Sequence, residues 1–114
     1  MKPLAHIQTL FSIFLILAFP PLASAAPISQ MVMTIKNHQF SPSEIKIQPG
    51  QKVLLIIKNE DHTPEEFESY SLNREKLING NSTAKVYIGP LEPGSYKFFG
   101  EFFPKTAKGT ILVK

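Results

Sequence analysis

The chain of 114 residues contains no cysteine. That absence removes thiolate nucleophiles, disulfide staples and every thiolate metal ligand at once. Small exported domains often lean on disulfides, so here the burial of apolar side chains must suffice. No G-x-S-x-G segment is present, and no acid, histidine and serine stand in a context that supports a triad. Glu66 and Glu101 are the residue types of glycoside hydrolysis, but so short a chain leaves no extended substrate cleft. Basic blocks are also missing. The 12 Lys and Arg against 9 Asp and Glu give a net charge of +3, with the lysines spread along the chain, so nucleic acid is not an expected partner. No apolar run approaches the roughly 20 residues that span a bilayer.

What the N-terminus does have is Lys2, an apolar run at residues 10–19 (LFSIFLILAF), Pro20 and Pro21, and then Ala23-Ser24-Ala25. A short basic start, an apolar centre and small residues at the cutting positions describe a secretory signal peptide. Cleavage is expected after Ala25, with the protein exported to the periplasm and its mature form not membrane-spanning. Residues 26–114 then form one domain, since their number suits a single core and not two.

Within that domain, short β-type runs alternate with turn signals. The segment MVMTIK at 31–36 reads as a first strand, EIKI at 44–47 alternates polar with apolar, and VLLII at 53–57 reads as a central strand buried on both sides. TAKVYI at 83–88 alternates again, and residues 110–113 close the domain. Pro49-Gly50, Asn79-Gly80-Asn81 and Pro93-Gly94 punctuate the runs. Connections are too short for βαβ crossovers. The pattern predicts an all-β, Greek-key β-sandwich of about seven mostly antiparallel strands. One short helical turn is expected at residues 72–76, capped by Ser71.

The acidic residues are unevenly placed. Glu60, Asp61, Glu65, Glu66 and Glu68 crowd between positions 60 and 68, and Glu101 sits on a loop expected at the same pole. Packed carboxylates repel one another, so such a group needs a cation, a basic partner or water. Hard cations favour carboxylate oxygens. A solvated loop neutralised by Lys58 or Arg74 is the other reading. Strand alternation turns Glu66 and Glu68 away from the side taken by Glu65 and Phe67. His62 is a loop histidine open to solvent or to a metal. His38 packs near the turn before Phe40, while Met31 and Met33 serve as same-face core methionines or as thioether ligands for Cu(I). Asn81-Ser82-Thr83 is read as turn chemistry.

Three stretches together resemble the cupredoxins. Phe40-Ser41-Pro42-Ser43-Glu44-Ile45 with Pro49-Gly50 is similar to their F-x-P-x-x-I opening, and Leu91-Glu92-Pro93-Gly94-Ser95-Tyr96 to their L-x-P-G-x-Y approach to the metal-bearing strand. Lys108-Gly109-Thr110-Ile111-Leu112-Val113 resembles their closing strand. The resemblance places Glu65, Gly100, Phe103 and Ala107 where blue-copper proteins carry His, Cys, His and Met. It therefore implies no type 1 copper centre.

Within that superfamily, residues 64–69, 72–76 and 98–102 most resemble the EfeO-type cupredoxin-like domain. That resemblance implies a periplasmic accessory of iron uptake that binds iron or copper through carboxylates and partners an inner-membrane iron permease component. The matching metal positions are Glu66, Glu68, Glu75 and Glu101, so a site here would be all-oxygen, or oxygen plus His62. Relatives often carry His where this chain has Phe103, and Cys at places matching Phe40 and Phe99. The alternative is a metal-free interaction module that docks its Phe-rich pole (Phe98, Phe99, Phe102, Phe103) on a transporter or periplasmic partner.

Overall fold

Alternation with period two builds both layers of the domain. The computed structural model describes residues 1–5, 9–21 and 27–114. The expected cleavage motif at Ala23-Ser24-Ala25 lies outside the described residues. Residues 9–21 form neither helix nor strand. No helix among the described residues is long and apolar enough to cross a membrane.

Nine strands follow, β1 (Ser29–Lys36), β2 (Gln39–Ser41), β3 (Glu44–Ile47), β4 (Val53–Asn59), β5 (Glu65–Ser69), β6 (Arg74–Ile78), β7 (Thr83–Ile88), β8 (Gly94–Gly100) and β9 (Lys108–Val113). They form a four-stranded sheet in the order β2-β1-β4-β7 and a five-stranded sheet in the order β3-β9-β8-β5-β6. The all-β sandwich expected from the sequence is present. Most neighbours run antiparallel, but β1 pairs parallel to β4 and β3 parallel to β9.

The core lies between the sheets. Met33, Ile35, Val53, Leu55, Ile57, Val86 and Ile88 face Ile45, Phe67, Ile78, Phe98, Ile111 and Val113, all of them buried. Met33 is thus a core methionine, with Met31 packed at the margin of the same cluster. At the centre, Phe98 stacks on Phe67 at 5.3 Å between ring centroids and meets Phe40 edge-on at 5.1 Å. Offset and edge-on contacts are those that aromatic quadrupoles favour.

Two expectations are corrected. Among the described residues the strands number nine, not about seven, because Gln39–Ser41 and Arg74–Ile78 also pair. The helical turn at 72–76 is absent, as is every helix among the described residues. Residues 70–73 instead make the tight loop of a β5–β6 hairpin, and Arg74 begins a strand. The Asn73 N–H donates to the Tyr70 carbonyl at 3.1 Å, and Asn73 takes φ 52°, a left-handed conformation that asparagine tolerates. The capping oxygen comes from Ser69, whose Oγ accepts the Leu72 N–H at 3.3 Å. A five-residue helix would gain too few hydrogen bonds to offset its nucleation, whereas the hairpin lets residues 74–78 pair with β5 along their whole length.

Candidate functional site: a carboxylate cluster beside a closed metal pole

Register in the β5–β6 hairpin creates the cluster. Glu68 lies directly opposite Glu75, and Glu66 opposite Leu77. Since alternate residues share a face, Glu66 and Glu68 project outward while Phe67 and Ser69 point into the core. Ligand-capable oxygens of Glu66, Glu68 and Glu75 lie within 4.8 Å of one another. On the other flank, Phe67 pairs with Gly100 and the Glu101 N–H donates to the Glu66 carbonyl at 2.9 Å. Glu101 thereby stands beside Glu66 as the next residue in register.

Among the described residues, neither expected cation forms an ion pair with the group, although Arg74 lines the same hollow as Glu68 and Glu75. Arg74 donates to the carbonyls of Tyr87 and Asn73. Lys58 belongs to the four-stranded sheet. The cluster accommodates its charge by keeping a proton. A hydrogen bond with Glu75 is the main cause that lifts the Glu66 carboxyl from 4.5 to about 7, helped by partial desolvation and by the negative fields of Glu75, Glu68 and Glu101. Desolvation, then Glu75 and Glu101, also raise Glu68 above the ordinary carboxylate range.

This shift has a definite sign. Between 4.5 and about 7 the folded chain keeps a proton that the unfolded chain has released. Repulsion is therefore fully felt above about 7 and relieved below it, so stability declines as pH rises through the window. Glu66→Gln is expected to flatten that decline, with urea midpoints of parent and variant diverging from about pH 5 to about pH 8. Parallel midpoint curves would show that the carboxyls do not share a proton.

His62 is exposed on the loop between β4 and β5, outside the carboxylate group. Its neighbour Asp61 has a structural task. Asn37 and His38 both adopt positive φ in the two-residue turn joining β1 to β2, and Asp61 accepts their N–H groups at 2.8 and 3.0 Å. Burial opposes ionisation of Asp61, but these two hydrogen bonds and the nearby histidines outweigh it and hold the carboxyl below its usual value. His38 contacts Asp61 at 3.5 Å and stacks on Phe103 with centroids 3.5 Å apart.

The blue-copper positions can now be tested for fit. Glu65 is 1% exposed. Its Oε1 accepts the N–H groups of Glu66 and Phe102, each at 2.9 Å, while Oε2 is buried without a partner. A Cβ added to Gly100 would lie 2.5 Å from that Oε2 and 2.8 Å from the Ala107 Cβ. The Glu65 carboxyl therefore fills the space between Gly100 and Ala107, and Phe103 is occupied with His38. One carboxylate already engaged with main-chain donors, with neither thiolate nor imidazole at the four positions, does not fit type 1 copper. The pole is held shut by protein groups. Sequence reasoning grouped Glu65 with the loop acids; its alternation with Phe67 was the signal of burial.

Residues 9–113 match the family model described as a cupredoxin-like domain, and the chain belongs to that family. It is 42% identical over 86 residues to the uncharacterized protein RP394 of Rickettsia prowazekii (strain Madrid E), an alignment covering 75% of this chain and 69% of that protein. In fold it is similar to auracyanin A, a "blue" copper protein of Chloroflexus aurantiacus, with TM-score 0.67 at 15% identity, covering 77% of this chain and 100% of that one. The metal binding domain of the Cu(I) exporting P-type ATPase CopA of Streptococcus pneumoniae D39 is also similar, with TM-score 0.64 at 16% identity over 75% of this chain and 84% of that one.

Proposed function

We propose that this is a periplasmic cupredoxin-fold accessory protein of iron uptake that binds iron or copper through Glu66, Glu68 and Glu75, with Glu101 alongside. The observation that carries the reading is the convergence of three carboxylates from two adjacent strands within 4.8 Å, on an open sheet face. Their all-oxygen donor set suits a hard cation, and a bound cation would relieve the repulsion that a shared proton now offsets. The apolar N-terminal run supports export, and the likeness of residues 64–69, 72–76 and 98–102 to iron-uptake domains supports the physiological role.

Calorimetric titration of the exported protein with Cu(II) and with ferric citrate tests this. Saturable heat is expected from the parent near neutral pH, with a proton released on binding below about 7. Glu66→Gln/Glu75→Gln is expected to lower affinity by about 100-fold or more, since two ligands are lost and even an outer-shell partner is worth about 10–100-fold. Absence of heat with both metals would reject the metal reading. The metal-free docking module is then favoured, because the Glu66–Glu75 hydrogen bond lets the cluster persist without an ion. Of the Phe-rich pole, Phe102 is the ring most open for such docking, at 47% exposure, whereas Phe98 is buried.

A further inference from the structure

Charge is sorted between the two sheets. The strands of the four-stranded sheet carry no aspartate or glutamate, whereas the strand-borne acids, Glu44, Glu65, Glu66, Glu68 and Glu75, all belong to the five-stranded sheet. On the outer face of the four-stranded sheet, register places Val32 beside Ile56 and Ile56 beside Lys85, with Leu54 beside Tyr87 one row away. Val32 and Tyr87 are 50% and 49% exposed on β1 and β7, flanking a partly exposed Ile56 and a buried Leu54 on β4, so the face is apolar and open along its two sides. Lysines frame it. Lys58 pairs with Thr34 and Thr83, Lys36 ends β1, and Lys52 holds its Nζ 5.6 Å from the centre of the Tyr87 ring. Glu60 is the acid at the margin, one residue beyond β4 beside Lys58.

We propose that this lysine-framed face docks on an anionic lipid surface. Charge complementarity requires an anionic occupant, and lysines set around exposed apolar and tyrosine side chains suit a lipid surface. The basic residues on these strands are Lys36, Lys58 and Lys85, while Arg74, the chain's one arginine, lies on β6 and reaches this sheet's edge to donate to the Tyr87 carbonyl. Lysine lays its methylene stem along apolar surface and keeps its ammonium among headgroups, and tyrosine is at home at the same depth. Each basic residue near an anionic bilayer adds to the attraction, which decays within a Debye length. The opposite sheet is mixed in charge, with Lys46, Arg74, Lys76, Lys97 and Lys108 on its strands beside the acidic patch of Glu66, Glu68, Glu75 and Glu101. Docked by the lysine-framed face, the domain holds its carboxylate cluster, which lies on the other sheet, turned to solvent, whether or not that cluster holds a cation.

The exported protein is sedimented with vesicles of phosphatidylcholine alone and with added phosphatidylglycerol, at low and high salt. Binding is expected to the anionic vesicles only and to be released by salt. Lys58→Glu/Lys85→Glu should weaken it about tenfold or more. Lys97→Glu/Lys108→Glu, the same charge change on the other sheet, should remain within about twofold of the parent. Circular dichroism establishes that both variants are folded. Equal weakening by both pairs, salt-insensitive binding to neutral vesicles, or no binding would each overturn the proposal. If the parent instead binds an acidic protein surface and no vesicle, the face belongs to a protein partner.

Discussion

Gly100→Ala is expected to destabilise the domain by about 3 kcal/mol or more, seen as a lowered urea midpoint with an unchanged slope. Gly100 is buried in β8, directly opposite Phe67 of β5. A methyl group there would enter the space of the Glu65 carboxyl, 2.5 Å from Oε2, and would crowd the Ala107 Cβ at 2.8 Å. Glu65 cannot swing aside freely, because its Oε1 holds the N–H groups of Glu66 and Phe102. Moving it leaves two main-chain donors and a carboxylate without partners inside the protein, which adds to the packing strain. The double variant Gly100→Ala/Glu65→Ala makes room for the methyl. It should therefore be less destabilised than the sum of the single changes. Simple additivity would show that the two residues do not compete for the same space.

Phe98→Ala should cost about 3–5 kcal/mol, the range for deleting a large buried ring. Phe98 is 1% exposed and joins three parts of the core. It stacks on Phe67 from β5, meets Phe40 from β2 edge-on, and rests over Gly109 of β9, where an added Cβ would collide with its ring. Its loss also loosens the seam that brings β5 against β8. Glu66 and Glu68 would then lose their fixed relation to Glu101. Thermal unfolding and metal titration should both respond, the first by a lowered midpoint and the second by weaker heat. Full stability in the variant would show that the Phe98 ring is not needed to hold β5 against β8.

The main strands were legible because burial writes itself into alternation. Val53 to Ile57 reads as a strand buried on both sides, and Thr83–Ile88 forms over the residues its pattern predicts. β6 was not legible. Arg74, Glu75, Lys76 and Leu77 are good helix formers with exposed side chains, and pairing with β5 rather than local preference makes them a strand. The parallel pairing of β1 with β4 was equally hidden, since a strand's own pattern does not name its neighbour. Of the site residues, Glu66 and Glu68 could be placed on one face by counting in twos. That Glu75 would lie opposite Glu68 depended on the four-residue turn 70–73, where the sequence pattern instead expected a helical turn over 72–76.

Composition alone determined that no thiolate could hold a metal, and periodicity determined that the chain would build a β-sandwich. Both are local or additive properties that a linear reading can sum. The tertiary structure decided which carboxylates share a face, which one is sealed in the pole, and which sheet is left positively charged. Those outcomes rest on cross-strand register, where one turn residue more or less would turn each side chain to the opposite surface.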